Sequence, residues 1–116
     1  MASIVQNRLK TILLQYVVEV QAIFGPSLKK VILYGSYARG DYSPESDIDI
    51  MILVDLDESG IRNLRHRLSD ITFDVNYDYD TQIRPVVHNF TFFERWIDAY
   101  PFFNNVNNEG IELYTA

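Results

Sequence analysis

Cysteine is absent from this 116-residue chain, so no disulfide can staple the fold and no thiolate can hold a metal. Glycine and proline number only five and four, and no linker, internal repeat or low-complexity segment interrupts the chain. No apolar run approaches the length needed to cross a bilayer. The opening MASIVQNRLK lacks the basic-then-apolar order of a secretory signal, so a cytoplasmic location without membrane contact is expected. Basic residues are missing altogether between Asp41 and Ile61, where Asp41, Glu45, Asp47, Asp49, Asp55, Asp57 and Glu58 accumulate. With a formal net charge of -6, such a surface repels nucleic-acid backbones, and direct nucleic-acid binding is not expected.

What is present favours folding. The apolar fraction of 47% and aromatic fraction of 14% supply one modest core, and the length fits a single domain over 1–116. Ile4 to Phe24 reads as a helix, with apolar residues at helical spacing, Ser3 as its cap and Gly25-Pro26 as its stop. Lys29 to Tyr34 is a short apolar strand. Ser36 to Arg39 begins a short helix that Gly40 can end, and Asp41 to Ser46 is loop chemistry around Pro44. Asp47 to Val54 reads as a strand buried on both faces. From Glu58, Ile61, Leu64, Leu68, Ile71, Val75 and Tyr79 step by three and four, so one long helix is favoured although Thr72 to Tyr77 alternates like a strand.

Gln82 to Val87 is then the third strand, and Pro85 marks it as an edge. Phe92 to Tyr100 reads as a helix halted before Pro101. Phe102 to Asn108 reads as another, closed by Gly110, with Ile111 to Tyr114 as a small edge strand. The aromatic group Phe90, Phe92, Phe93, Trp96, Tyr100, Phe102 and Phe103 is expected mostly in the core, and any members exposed together would form an interface. His66, among Arg62, Arg65 and Arg67, belongs to a solvated basic helix face, and His88 has no ligand set around it.

The chemistry concentrates in VILYGSYARGDYSPESDIDIMILVD, Val31 to Asp55. Gly35 lies where a strand ends, and a missing side chain lets backbone approach a ligand. Amides at a helix start attract anions, and Ser36 adds a hydroxyl that can cap the helix or meet a phosphate oxygen. Alone, Gly-Ser would mean only a capped turn. Asp47 and Asp49 are two apart, so on a strand they share a side. Two carboxylates that close repel, and a divalent cation relieves the repulsion; magnesium favours a few carboxylates plus substrate phosphates. The ten-residue spacer suffices for a turn, a short helix and a return to the sheet. Arg39, one helical turn after Ser36, can reach phosphate or pair with Asp41, and Ser46 can orient the aspartate turn or simply close the loop.

Gly35-Ser36, ten residues and Asp47-Ile48-Asp49 together resemble the core motif of the DNA polymerase β-type nucleotidyltransferase superfamily. The fuller GSYARGDYSPESDID is similar to that of minimal, single-domain nucleotidyltransferases of the MntA antitoxin type, and PFFNNVNNEGIELY is similar to the tail of one branch of them. The resemblance implies an α+β (α/β-like) nucleotidyltransferase fold, a small mixed sheet flanked by helices. It implies Mg2+ bound by Asp47 and Asp49, a nucleoside triphosphate (ATP foremost) held at Gly35 and Ser36, and transfer of the nucleoside monophosphate to a hydroxyl. For many minimal members it further implies a helical HEPN-type toxin as partner, silenced by adenylylation of a tyrosine.

One feature departs from the pattern. Active members of the superfamily commonly carry a third carboxylate on a later strand, within an apolar-Asp-apolar triplet. Phe73-Asp74-Val75 matches locally, but a long helix places Asp74 on a solvated face with Asp70 and Asp78, and the next strand offers Gln82-Ile83-Arg84 and no acid. The general base is therefore left open. So are a non-catalytic nucleotide-binding module that occludes its partner, transfer to a cationic small molecule drawn by the acidic surface, and homo-oligomerisation.

Overall fold

The computed structural model describes residues 3–116; the side chains of residues 3–6, and with them the expected Ser3 cap, lie outside the described set. In chain order the elements are α1 (Ser3–Phe24), β1 (Leu28–Tyr34), α2 (Ser36–Arg39), β2 (Ile48–Val54), α3 (Glu58–Tyr79), β3 (Ile83–Asn89), α4 (Phe90–Trp96), α5 (Pro101–Glu109) and β4 (Ile111–Thr115). The four strands form one sheet in the order β3-β2-β1-β4. β1 runs antiparallel to β2 and β4, whereas β2 and β3 are parallel, joined by the α3 crossover.

The apolar pattern decides how the layers stack. β2 is central, and every one of its residues except Asp49 is buried. Its side chains alternate between two cores. Ile50, Ile52 and Val54 join Tyr16, Val17 and Val20 of α1 and Leu68 and Val75 of α3. Met51 and Leu53 point the other way, against Phe93 of α4 and Phe103 and Val106 of α5. Helices thus cover both faces, which is why β2 reads as a continuous apolar run. Across the first core, Tyr16 and Thr72 share a buried hydrogen bond of 2.7 Å that ties α1 to α3.

The mixed α+β architecture expected from the sequence is the one observed, including the single long α3. Asp57 starts α3 by accepting a hydrogen bond from the Gly60 amide, at 2.8 Å, and Asp80, in the left-handed region at φ 54°, ends it. Some boundaries move. β3 runs Ile83–Asn89 rather than Gln82 to Val87, because it pairs with the whole of β2. Pro85 is tolerated there because β3 is an edge. α4 begins at Phe90 because the Asn89 side chain accepts from the Phe92 amide at 2.8 Å, and it stops at Trp96, short of the expected Tyr100. Pro101 opens α5 instead of merely ending α4, as suits a residue without an amide proton at the first helical position.

The aromatic group corrects an expectation. Phe93 and Phe103 are buried, but Phe92, Trp96, Tyr100 and Phe102 are exposed. Two short helices have too few inward positions for seven large rings. Trp96 and Tyr100 stack with centroids 5.8 Å apart, and Phe92 lies 6.2 Å from Tyr100.

Candidate active site

β1 ends at Tyr34, and the chain must turn sharply to begin α2. Gly35 makes that turn at φ 77°, ψ -153°, a conformation that an L side chain resists. A second constraint acts on the same residue: a Cβ on Gly35 would collide with Oδ2 of Asp49. The glycine is therefore the point where the backbone lies directly against one carboxylate. The Gly35 carbonyl accepts the amides of Ala38 and Arg39 at 3.1 and 3.0 Å, which closes the first turn of α2. The amides of Ser36 and Tyr37 precede any intrahelical acceptor and stay available for an anion.

Asp49 is the second residue of β2, and Asp47 lies just before the strand. In the sheet Asp49 is flanked by Tyr34 of β1 and Arg84 of β3. Its side chain is only 16% exposed, against 38% for Asp47. Both acids converge on one group: Arg84 Nη1 lies 3.1 Å from Asp47 Oδ2, and Arg84 Nη2 lies 3.1 Å from Asp49 Oδ1. The hydrogen bond to Asp49, then the charges of Asp49 and Asp47, push the Arg84 guanidinium further above its already high pKa. Tyr34 is also shifted upward, first by burial and then by the negative charge of Asp49, with Arg84 opposing.

The other sequence-nominated residues are engaged elsewhere. Arg39 pairs with Asp41 at 3.2 Å and Glu109 at 3.3 Å, so α2 is tied to the end of α5. Ser46 accepts the Ser43 amide at 2.9 Å and closes the loop ahead of Asp47. Asp74 is exposed on α3, beside Gln15, Glu19 and Asp78 rather than Asp47 and Asp49. His66 lies on the α3 surface, 3.9 Å from Asp70. His88 packs edge-on to Phe103, and burial lowers its pKa.

The donor set suits a divalent cation. Two carboxylates already share one cationic partner, and no group of three or more His, Cys, Asp or Glu residues is assembled among the described residues. A metal held there would need substrate oxygens to complete its shell, as magnesium sites on nucleotides commonly do. The bare glycine backbone and open amides beside it suit a triphosphate.

Comparison with known proteins supplies the family. Residues 13–106 match the family described as "Nucleotidyltransferase domain". The chain belongs to that family. It is a nucleotidyltransferase, and its relatives fill in the surroundings. "Putative protein adenylyltransferase MJ0141" of Methanocaldococcus jannaschii is 35% identical over 95 residues, which cover 82% of this chain and 88% of the relative. MJ0604, a protein of the same description and organism, is 40% identical over 87 residues, covering 75% and 79%. Among solved structures, a putative nucleotidyltransferase from Sulfolobus solfataricus superposes with a TM-score of 0.59 at 22% identity, covering 95% of this chain and 83% of that one. A toxin-antitoxin structure with AMP-PNP gives 0.53 at 22% identity, with 89% and 73% covered. These two share the fold.

Arg84 is the site residue that sequence reasoning passed over. In the sequence, Gln82-Ile83-Arg84 stands out only for lacking an acid. Its signal was positional: Arg84 is the second residue of β3 as Asp49 is the second of β2, and parallel neighbours in register place such residues side by side.

Proposed function

We propose that this nucleotidyltransferase moves AMP from ATP to a protein hydroxyl, with magnesium held by Asp47 and Asp49. The observation that carries the reading is the convergence of three parts from two strands: the Gly35 backbone, the Asp49 carboxylate against it, and Asp47 beside Asp49 on a shared cation. Metal bound there would neutralise the acid pair and draw electron density from the triphosphate. The amides of Ser36 and Tyr37 take phosphate oxygens and hold the chain of phosphates along the bend. The acceptor oxygen bonds to the α-phosphorus, the bond to the bridging oxygen breaks with its electron pair passing to the departing pyrophosphate, and the hydroxyl's proton passes to solvent water.

A protein acceptor is supported by the descriptions of the M. jannaschii relatives as protein adenylyltransferases. The exposed cluster of Phe92, Trp96 and Tyr100 suits a protein partner better than solvent. The resemblance to minimal antitoxin-type members and the toxin-antitoxin neighbour nominate a tyrosine on a helical, HEPN-type toxin as the acceptor.

The test is transfer of α-labelled AMP to a co-encoded helical partner in magnesium. Asp47→Asn and Asp49→Asn are each expected to cut labelling by about 100-fold or more, the scale of losing one charge-stabilising group in a preorganised site. Equal labelling by wild type and both variants would sink the assignment. Inhibition of the partner that survives loss of both aspartates would place the effect in binding rather than chemistry.

A further inference from the structure

Arg84 spans the two carboxylates on which the proposed chemistry depends, and it reaches them from the strand next to theirs. The contact is built into the sheet. β2 and β3 pair in parallel with Ile48 opposite Ile83 and Asp49 opposite Arg84, and the Gln82 carbonyl accepts the Ile48 amide at 2.9 Å. Asn76 on α3 sets the start of β3. Its Oδ1 accepts the Ile83 amide at 2.8 Å, and its Nδ2 donates to the Ile83 carbonyl at 3.1 Å. The backbone of Arg84 is therefore held, while its side chain is 67% exposed and free to leave.

We propose that Arg84 gates the metal site by nucleotide: it competes with a free divalent cation for Asp47 and Asp49, and it yields more readily when a triphosphate arrives to receive the guanidinium. The inference rests on the reading of these aspartates as metal ligands. Its physical basis is charge balance. Asp49 already accepts a hydrogen bond from Arg84 and Asp47 forms an ion pair with it, so a metal ion must displace a partner as well as shed water. A nucleotide changes the balance, because its phosphates bring negative charge beside Gly35, against which Asp49 lies. The displaced guanidinium then gains phosphate oxygens, for which its planar fork is well suited. Metal and nucleotide consequently bind with positive coupling beyond what shared phosphate oxygens supply, and that extra coupling resides in one side chain.

The experiment measures Mn2+ affinity by titration with paramagnetic detection, without nucleotide and with saturating non-hydrolysable ATP analogue. Wild type is compared with Arg84→Met, which keeps an unbranched apolar stem and loses the guanidinium, and with Arg84→Lys. In the absence of nucleotide, Arg84→Met is expected to bind Mn2+ about tenfold more tightly than wild type, the scale of releasing two partly exposed ion pairs. Arg84→Lys, a point charge that cannot span both carboxylates, should fall between wild type and Arg84→Met. The factor by which the analogue tightens Mn2+ binding should fall in Arg84→Met by about the same tenfold, since coupling in a closed cycle is reciprocal.

Asp49→Asn placed in the Arg84→Met background should abolish the gain, which assigns the ion to this pair. Circular dichroism checks the fold, and Arg84→Gln serves if the methionine variant is unfolded. Equal Mn2+ affinity and equal coupling in wild type and the neutral variants would overturn the proposal even if AMP transfer is intact. Tightened binding at Asp47 and Asp49 with no AMP transfer to any acceptor would leave the gate standing and reject the transfer reading instead.

Discussion

Gly35 carries two demands that no other residue satisfies together. Its φ of 77° disfavours any L side chain, and Asp49 Oδ2 fills the space that a Cβ would need. Gly35→Ala is therefore expected to cost roughly 1–2 kcal/mol in urea denaturation from the backbone alone. Because relief of the clash must push Asp49 away, AMP transfer should fall by more than the stability loss explains. A variant with wild-type stability and transfer would remove the glycine from the site. Gly110 looks similar in sequence but answers another demand: its φ is ordinary, and a Cβ there would meet the Ile32 side chain and the Val106 carbonyl where α5 turns into β4. The sequence reading of Gly110 as a helix terminator holds. The reason for glycine lies in packing across the chain, which local pattern does not encode.

At the scale of elements, the α3–β3 joint decides the site's third wall. Besides its two bonds to Ile83, Asn76 accepts the Thr81 hydroxyl at 2.8 Å and its carbonyl accepts the Thr81 amide at 3.1 Å. Asn76→Leu would leave the Ile83 amide and carbonyl without these partners, at a cost of about 2–3 kcal/mol. It should also loosen the register that presents Arg84. Asp74, two residues earlier on the same helix, is exposed and is expected to tolerate Asn within about 0.5 kcal/mol with transfer retained. Comparing the two variants in one denaturation and labelling series separates the joint from the helix surface. An Asp74→Asn variant without transfer would return the third carboxylate to α3. The ambiguity of Thr72 to Tyr77 between strand and helix resolved toward helix because Thr72 and Val75 both face the core, three residues apart.

At the scale of the whole molecule, stability depends on pH through the layer between α1 and the sheet. Burial pushes the Tyr16 hydroxyl up to about 12, with the Thr72 hydrogen bond opposing. The folded state therefore holds the proton more tightly than the unfolded chain, whose tyrosine titrates near 10. Between those values the folded state binds more protons, so stability is full below pH 10 and falls as pH rises toward 12. The expected loss by the upper limit is on the order of 2 kcal/mol, read as a decline in urea midpoint. Tyr16→Phe should remove the Tyr16 share and leave a shallower decline from Tyr34 and Tyr37, whose hydroxyls burial also shifts upward. An unchanged slope in the phenylalanine variant would assign the alkaline loss to other groups.

Much of this protein was settled by residue order alone. Period-two and period-3.6 apolar patterns indicate which segments are strands and helices, and Gly-Ser followed by Asp-x-Asp at its spacing carries the resemblance to nucleotidyltransferases, because those signals are local. Only the tertiary structure decided that Arg84 sits on both aspartates, that Arg39 turns to Glu109, and that four aromatic rings remain outside the core. Each of these depends on strand register and layer stacking, which bring together residues tens of positions apart through burial summed over the whole chain.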